Sequence, residues 1–243
     1  MNSLSPLQRD LFATAVVLTY VFSLIGICER LVSGAWISRS LSRKLVHIGA
    51  GSWLIFWPLY SSVEDGPSWR LNVFVPAAKG LELFAKGAII RDPNDKDVRS
   101  MSRSGNPSEL LLGPLQFTII MTVVGLFLFR QNVACLIMAA LGVGDGIAPL
   151  VGGRLGRYKY RSPLVMKGTD GKSVEGSVGV FFGTIAGYYL FSSIAVPSEA
   201  LLGITSILWY ALTAALIEGL VPSNMDNIAI PVAIYSLHKF GLS

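Results

Sequence analysis

Long apolar runs constrain this chain more than any motif it carries. Eight can be marked, over residues 11–28, 45–60, 71–90, 109–129, 133–152, 177–196, 200–220 and 226–241. A helix needs about 20 residues to cross the hydrocarbon core of a bilayer, and most of these runs approach that length. Strands of a membrane barrel would be shorter and would alternate in polarity. Only 14% of the residues are charged and 52% are hydrophobic, whereas soluble domains carry about 25% charged residues. A soluble enzyme and a disordered chain are therefore excluded as well. The expected fold is all-α, a polytopic integral membrane protein with about seven to eight transmembrane helices. One membrane-embedded domain over 1–243 is the economical organisation, since no internal repeat or low-complexity linker interrupts it. The third run is broken by Lys79, Glu82 and Lys86, which share a helix face and so are predicted to meet protein or water rather than lipid. The second and eighth runs are short enough to be re-entrant.

The net charge of +5 belongs to topology rather than to nucleic acid, because no basic stretch interleaved with aromatics marks a soluble binding face. Cytoplasmic loops collect Lys and Arg. The loops after the first, third and fifth runs hold most of them, whereas those after the second, fourth and sixth hold only Arg70 and Arg130. The basic loops are thereby placed on the cytoplasmic or stromal face. Cys28 and Cys135 both lie in apolar runs, so no disulfide framework is present. The first ten residues are poor in arginine and no small-residue cleavage site follows the first run. The expectation there is a signal anchor, or a chain whose leader has been removed.

Against this apolar background, polar residues on the basic face stand out. Asp145 lies in an apolar run between Gly144 and Gly146, and Gly152, Gly153, Arg154, Gly156, Arg157 and Lys159 follow. A carboxylate in such a setting is costly unless it is paired or binds a cation. The glycines permit close approach of backbone or ligand, and the cations suit phosphate oxygens. A second stretch runs Lys167-Gly168-Thr169-Asp170-Gly171-Lys172-Ser173-Val174-Glu175-Gly176. It is not a Walker loop, because Met166 stands where that motif needs glycine. It reads as a flexible loop opening a helix, with Lys172 for a polyphosphate and Ser173 or Glu175 near a metal. Arg43 and His47 lie four apart beside Lys44, and Glu218 and Asp226 place two further acids at the same face. No His-Glu-x-x-His or Gly-x-Ser-x-Gly occurs. Acids for a divalent metal beside bases for phosphates are what phosphoryl transfer requires. The membrane setting adds a lipid-soluble substrate entering from the bilayer.

The same residues carry a resemblance. Asp145-x-x-Ala148 followed by Gly152, Gly153, Gly156 and Lys159, then Lys172-Ser173-x-Glu175-Gly176-Ser177, resembles the nucleotide-binding signature of the polyprenol kinase family. Ser42-Arg43-Lys44-Leu45-Val46-His47-Ile48, Trp57-Pro58-Leu59, Ser102-Arg103-x-Gly105, Glu109 to Leu115 and Asp226-Asn227 extend it over about residues 40–230. Within that family the chain is most similar to the plant phytol and farnesol kinases. The resemblance implies a kinase that uses CTP and Mg²⁺ to convert an isoprenoid alcohol to its monophosphate. It implies Asp145 as metal ligand or base, and phosphate contacts from Gly144, Gly146, Gly152, Gly153, Arg154, Gly156 and Lys159. It further implies nucleotide-binding roles for Lys172, Ser173, Gly176, Arg43, Lys44 and His47, with Lys172 and Glu175 catalytic and Glu175 and Asp226 metal or structural acids. One departure concerns Pro149, which stands where relatives commonly carry a second aspartate. That leaves Glu175, Glu218 or Asp226 to partner Asp145.

Two other classes fit parts of this pattern. A cytidylyltransferase making a CDP-activated lipid would share the site and release pyrophosphate. A transporter would use Asp145 and Lys79, but such proteins show repeated halves that this sequence lacks. The expected partners are the isoprenoid alcohol, a nucleoside triphosphate and membrane lipid, with no nucleic acid. The expected location is a plastid membrane in a plant or alga and the endoplasmic reticulum otherwise.

Overall fold

The computed structural model describes residues 4–102, 104–164, 171–222 and 225–241. Arg103, the Lys167 to Asp170 segment and Asn224 lie outside them. Among the described residues the regular structure is helical apart from one short antiparallel ribbon, and the chain divides into two compact units, 1–130 and 131–243.

In the first unit, helix α1 (Pro6–Ser33) starts with Pro6 behind a Ser5 cap and a reciprocal Ser5–Gln8 capping box. Helix α2 (Arg39–Gly51) begins at a Ser38 cap and passes into a 3₁₀ segment, Ser52–Leu59. The apolar run at 45–60 is therefore half α and half 3₁₀, not one straight span. With three residues per 3₁₀ turn, Leu54, Trp57 and Tyr60 fall in one line, and all three are buried. The carbonyls at its end are satisfied from elsewhere in the unit. Arg130 donates to Trp57 (2.9 Å) and Tyr60 (2.7 Å), and Arg9 to Leu59 (2.9 Å) and Pro58 (3.0 Å). The buried Asp10 carboxylate accepts the Ser61 N–H at 2.6 Å and also the Ser61 hydroxyl.

The run at 71–90 is likewise broken. A 3₁₀ segment (Pro67–Val73) leads into helix α3 (Phe74–Phe84), which widens to a π-helical end, Ala85–Ile90. Its charged face meets protein, as the sequence predicted. Lys79 bridges Glu82 and Asp97, both at 2.9 Å, and Lys86 bridges Glu82 at 2.7 Å and Asp97 at 2.5 Å. Asp97 belongs to helix α4 (Lys96–Met101). Helix α5 (Gly113–Phe127) completes the unit, led in by a 3₁₀ turn, Pro107–Leu111.

The second unit is built around one helix, Asn132–Arg154. It comprises α6 (Asn132–Met138), a π-helical stretch (Ala139–Gly144) and α7 (Asp145–Arg154). Residues Val133 to Gly142 are all buried, because α8 (Val174–Ala195), α9 (Ile204–Leu220) and α10 (Asp226–Phe240) all pack on this stretch. Strands β1 (Lys159–Arg161) and β2 (Gly171–Ser173) pair antiparallel, Lys159 opposite Ser173 and Arg161 opposite Gly171, where a loop was expected. Helix α8 can lie against the central helix because glycine recurs along it. A side chain at Gly183 would meet Gly144 Cα at 3.2 Å, and one at Gly187 would meet Ala139 Cβ at 3.1 Å. Such small-residue seams let helix backbones approach closely in membranes.

Among the described residues four helices are long and apolar enough to cross a membrane: Pro6–Ser33, Pro107–Phe127, Asn132–Arg154 and Val174–Ala195. Helices α9 and α10, at 17 and 15 residues, fall short of that length.

Candidate active site

Asp145 begins α7 at the end of the π-helical stretch and is only 6% exposed. Two features disturb the regular backbone there. The π turns before it shift the hydrogen-bond register, and Pro149, four residues on, has no N–H to offer the Asp145 carbonyl. Pro149 thus falls where it loosens the helix beneath Asp145. Nine residues separate Asp145 from Arg154, about 13 Å along the helix. The carboxylate therefore sits well inside the apolar span, while the cations gather at its end.

That end is built from the ribbon. Lys159 donates to the Gly152 carbonyl at 2.8 Å, closing the last turn of α7. The Glu175 carboxylate accepts the backbone N–H of Arg157 at 2.9 Å and of Tyr158 at 3.3 Å. Ser173 caps α8 by accepting the Gly176 N–H at 3.1 Å. The Tyr160 and Ser177 hydroxyls meet at 2.7 Å, and the Ser162 hydroxyl donates to the Leu220 carbonyl at the end of α9. Lys172 is buried on β2, its ammonium 2.9 Å from Glu218 of α9. Arg154 and Arg157 remain exposed at the same end.

The second unit therefore brings together Lys159, Ser173, Glu175, Gly152, Gly156 and Gly176. A side chain on Gly152 would come within 2.6 Å of Ser173 Oγ, and one on Gly156 within 2.2 Å of the Gly152 carbonyl. A side chain on Gly176 would meet the Ala148 carbonyl at 3.1 Å, and one on Gly144 would meet Thr184 Oγ1 at 2.8 Å. These four glycines thus have a packing reason within the fold, whereas a side chain on Gly153 would meet nothing within 4 Å among the described residues. Gly146 is buried in the first turn of α7. Asp226 starts α10, 5% exposed, and accepts the Asn227 N–H at 2.9 Å. Arg43, Lys44 and His47 lie on α2 of the first unit, where the His47 ring rests on Phe117 with centroids 4.1 Å apart.

Among the described residues no three His, Cys, Asp or Glu side chains converge as a metal cage. Mg²⁺ takes one or two carboxylates and fills its shell with water and phosphate oxygens, and Asp145, Glu218 and Asp226 are buried carboxylates of this unit. The pairing of Lys172 with Glu218 had no sequence signal, for 46 residues separate them.

Comparison with known proteins gives this arrangement a family. The chain is 32% identical over 239 residues to probable phytol kinase 2, chloroplastic, of Oryza sativa subsp. japonica, covering 95% of this chain and 76% of that protein. It is 30% identical over 232 residues to phytol kinase 1, chloroplastic, of Arabidopsis thaliana, covering 93% and 75%. The chain belongs to the phytol kinase family. Farnesol kinase, chloroplastic, of Arabidopsis thaliana is 29% identical over 229 residues, covering 91% of this chain and 72% of that protein. No protein-family model and no solved structure matches. Phytol kinase family members thus align along almost the whole chain, both units included.

Proposed function

We propose that this protein transfers the terminal phosphoryl group of a nucleoside triphosphate, CTP in the first instance, to the hydroxyl of an isoprenoid alcohol drawn from the bilayer. The observation that carries the reading is the buried Asp145 carboxylate, set in a loosened turn of an apolar helix whose end bears Lys159, Arg154 and Arg157. The names of the relatives, phytol kinase and farnesol kinase, support the alcohol class.

In this reading the alcohol oxygen attacks the γ-phosphorus, the bond to the β-phosphate oxygen breaks and nucleoside diphosphate leaves. Asp145 accepts the hydroxyl proton. Arg154, Arg157 and Lys172 take charge developing on the phosphate oxygens, and the exposed backbone at Gly153 lets the nucleotide approach. Magnesium, held by Asp145 with Asp226, would neutralise the triphosphate. Glu175 holds the start of the ribbon in place through the Arg157 and Tyr158 amides rather than reaching the metal. The excess of basic residues in these loops supports the cytoplasmic or stromal face for this end of the protein, and the chloroplastic relatives support a plastid membrane in a plant or alga.

The test uses membranes from cells expressing the chain, incubated with γ-labelled CTP, Mg²⁺ and phytol, farnesol, geranylgeraniol or dolichol. Label in an organic-soluble monophosphate supports the reading, and Asp145→Asn, which removes the charge and keeps the shape, should abolish it without loss of membrane insertion. Label-free alcohols with pyrophosphate released from phosphatidate and CTP would instead show a cytidylyltransferase.

A further inference from the structure

The ribbon's described cations are Lys159, Arg161 and Lys172, and of these only Lys172 is buried. Its ammonium lies 2.9 Å from Glu218 Oε1, with the two side chains 8% and 10% exposed, and it also donates to the Glu218 backbone carbonyl. An ammonium has three N–H donors. Glu218 occupies two, and among the described residues nothing accepts the third. A buried ion pair is weak evidence for stability, because apolar residues of the same volume commonly serve the fold as well. Its presence here calls for a use of the charge.

The surroundings fix where that charge can go. The next residue, Ser173, caps α8, and Tyr160 opposite Lys172 in the ribbon is bonded to Ser177 of α8. The Ser162 hydroxyl ties the ribbon to the Leu220 carbonyl of α9. Both flanks of Lys172 are thus held, and Glu218 sets the last degree of freedom, the place of the ammonium itself.

We propose that Glu218 is a positioning residue for nucleotide binding: it clamps Lys172 by two of its three N–H groups and leaves the third to a phosphate oxygen. The proposal rests on the phosphotransferase reading above. It differs from a simple structural tie in one respect: Glu218 acts on the nucleotide only through Lys172.

A double-mutant cycle separates the two. Wild type, Glu218→Gln, Lys172→Gln and the double variant are purified in detergent. Each is assayed for thermal stability and for KM of CTP and of the alcohol. Glu218→Gln should raise the KM for CTP about tenfold, the scale of a hydrogen bond to a charged group, with the KM for the alcohol unchanged. Glu218→Asp, which keeps the charge, should recover part of the loss. In the Lys172→Gln background the second change should have no further effect on KM. Additive effects on KM, or an unchanged KM for CTP in Glu218→Gln, would overturn the proposal. If Glu218→Gln does not fold, the cycle with Glu218→Asp reads the same non-additivity. A wild type that phosphorylates no alcohol with any nucleotide refutes the phosphotransferase reading and this inference with it. An active wild type with an additive cycle refutes this inference alone.

Discussion

The packing of α8 on the central helix determines where Asp145 sits, and Gly183→Ala tests that dependence directly. A methyl group on Gly183 would stand 3.2 Å from Gly144 Cα and 3.5 Å from both Gly144 N and Ile147 Cδ1. Carbon atoms prefer about 3.5–4.0 Å, so the helices must part by about 0.3 Å or more. The opposing atoms include backbone, which leaves a helix shift rather than a rotamer change as the means of relief. Overpacking of this kind costs about 1–3 kcal/mol, and alanine recovers about 1 kcal/mol over glycine within a helix. The net loss of stability is about 0–2 kcal/mol. Activity should suffer more. Gly144 is covalently next to Asp145, and a misplacement of about 1 Å at a reacting group can cost about 100-fold. A shift of a few tenths of an ångström should then lower kcat about tenfold. Thermal unfolding in detergent and the phosphotransfer rate are measured together, with Gly26→Ala as reference. Nothing lies within 4 Å of a side chain at Gly26, on α1, so that change should leave the rate unaltered. A Gly183→Ala protein with wild-type kcat would refute the argument. So would a fall in rate that only matches the loss of folded protein.

Two further expectations concern the first unit. Asp10→Ala removes the acceptor for the Ser61 N–H and hydroxyl in a fully buried site. At about 1–3 kcal/mol for each of the two orphaned donors, unfolding should show a loss of about 2–6 kcal/mol, and a loss under about 1 kcal/mol would contradict the tie. The second expectation is a pH dependence. Burial pushes the Asp97 carboxyl up, but Lys86 and Lys79 pull it down by more, so it lies below the ordinary aspartate value. Its contribution to stability is therefore complete above about pH 4, where the unfolded carboxyl is ionised, and is lost as the pH falls through the lower folded value. Asp97→Asn should flatten that acid limb of the melting curve, and an unchanged limb would exclude Asp97 as its source.

The sequence made the helical membrane class plain because bilayer thickness is a length, and length is readable. It did not show which apolar runs would stay straight. The run at 45–60 carries three buried large residues at a spacing that a 3₁₀ turn aligns, and its end carbonyls are bonded by Arg9 and Arg130 from distant parts of the unit. The run at 71–90 bends its last residues into a π turn where Lys79 and Lys86 reach Asp97. Hydropathy is blind to both, since neither the partner guanidinium groups nor the partner carboxylate lies within the run. The charged face was legible for the opposite reason. Lys79, Glu82 and Lys86 sit at helical spacing inside one segment, so their common face follows from local geometry.

The glycines of the candidate site show why its chemistry was harder to read than its position. Glycine beside a buried acid and a basic loop signals close approach, but the sequence does not say close to what. A phosphate and a neighbouring helix both require the missing Cβ. At Gly144, Gly152, Gly156 and Gly176 the neighbour is the chain itself, and at Gly153 it is open space. Substitution separates the two uses. Where the chain stands opposite, alanine should disturb stability and rate together, as argued for Gly183. At Gly153 an added methyl meets nothing among the described residues, so a rise in the KM for CTP in Gly153→Ala, with unfolding unchanged, would place the nucleotide there. An unchanged KM would move the phosphates away from this turn, leaving the end of α7 as packing and Lys172 as the cation to follow.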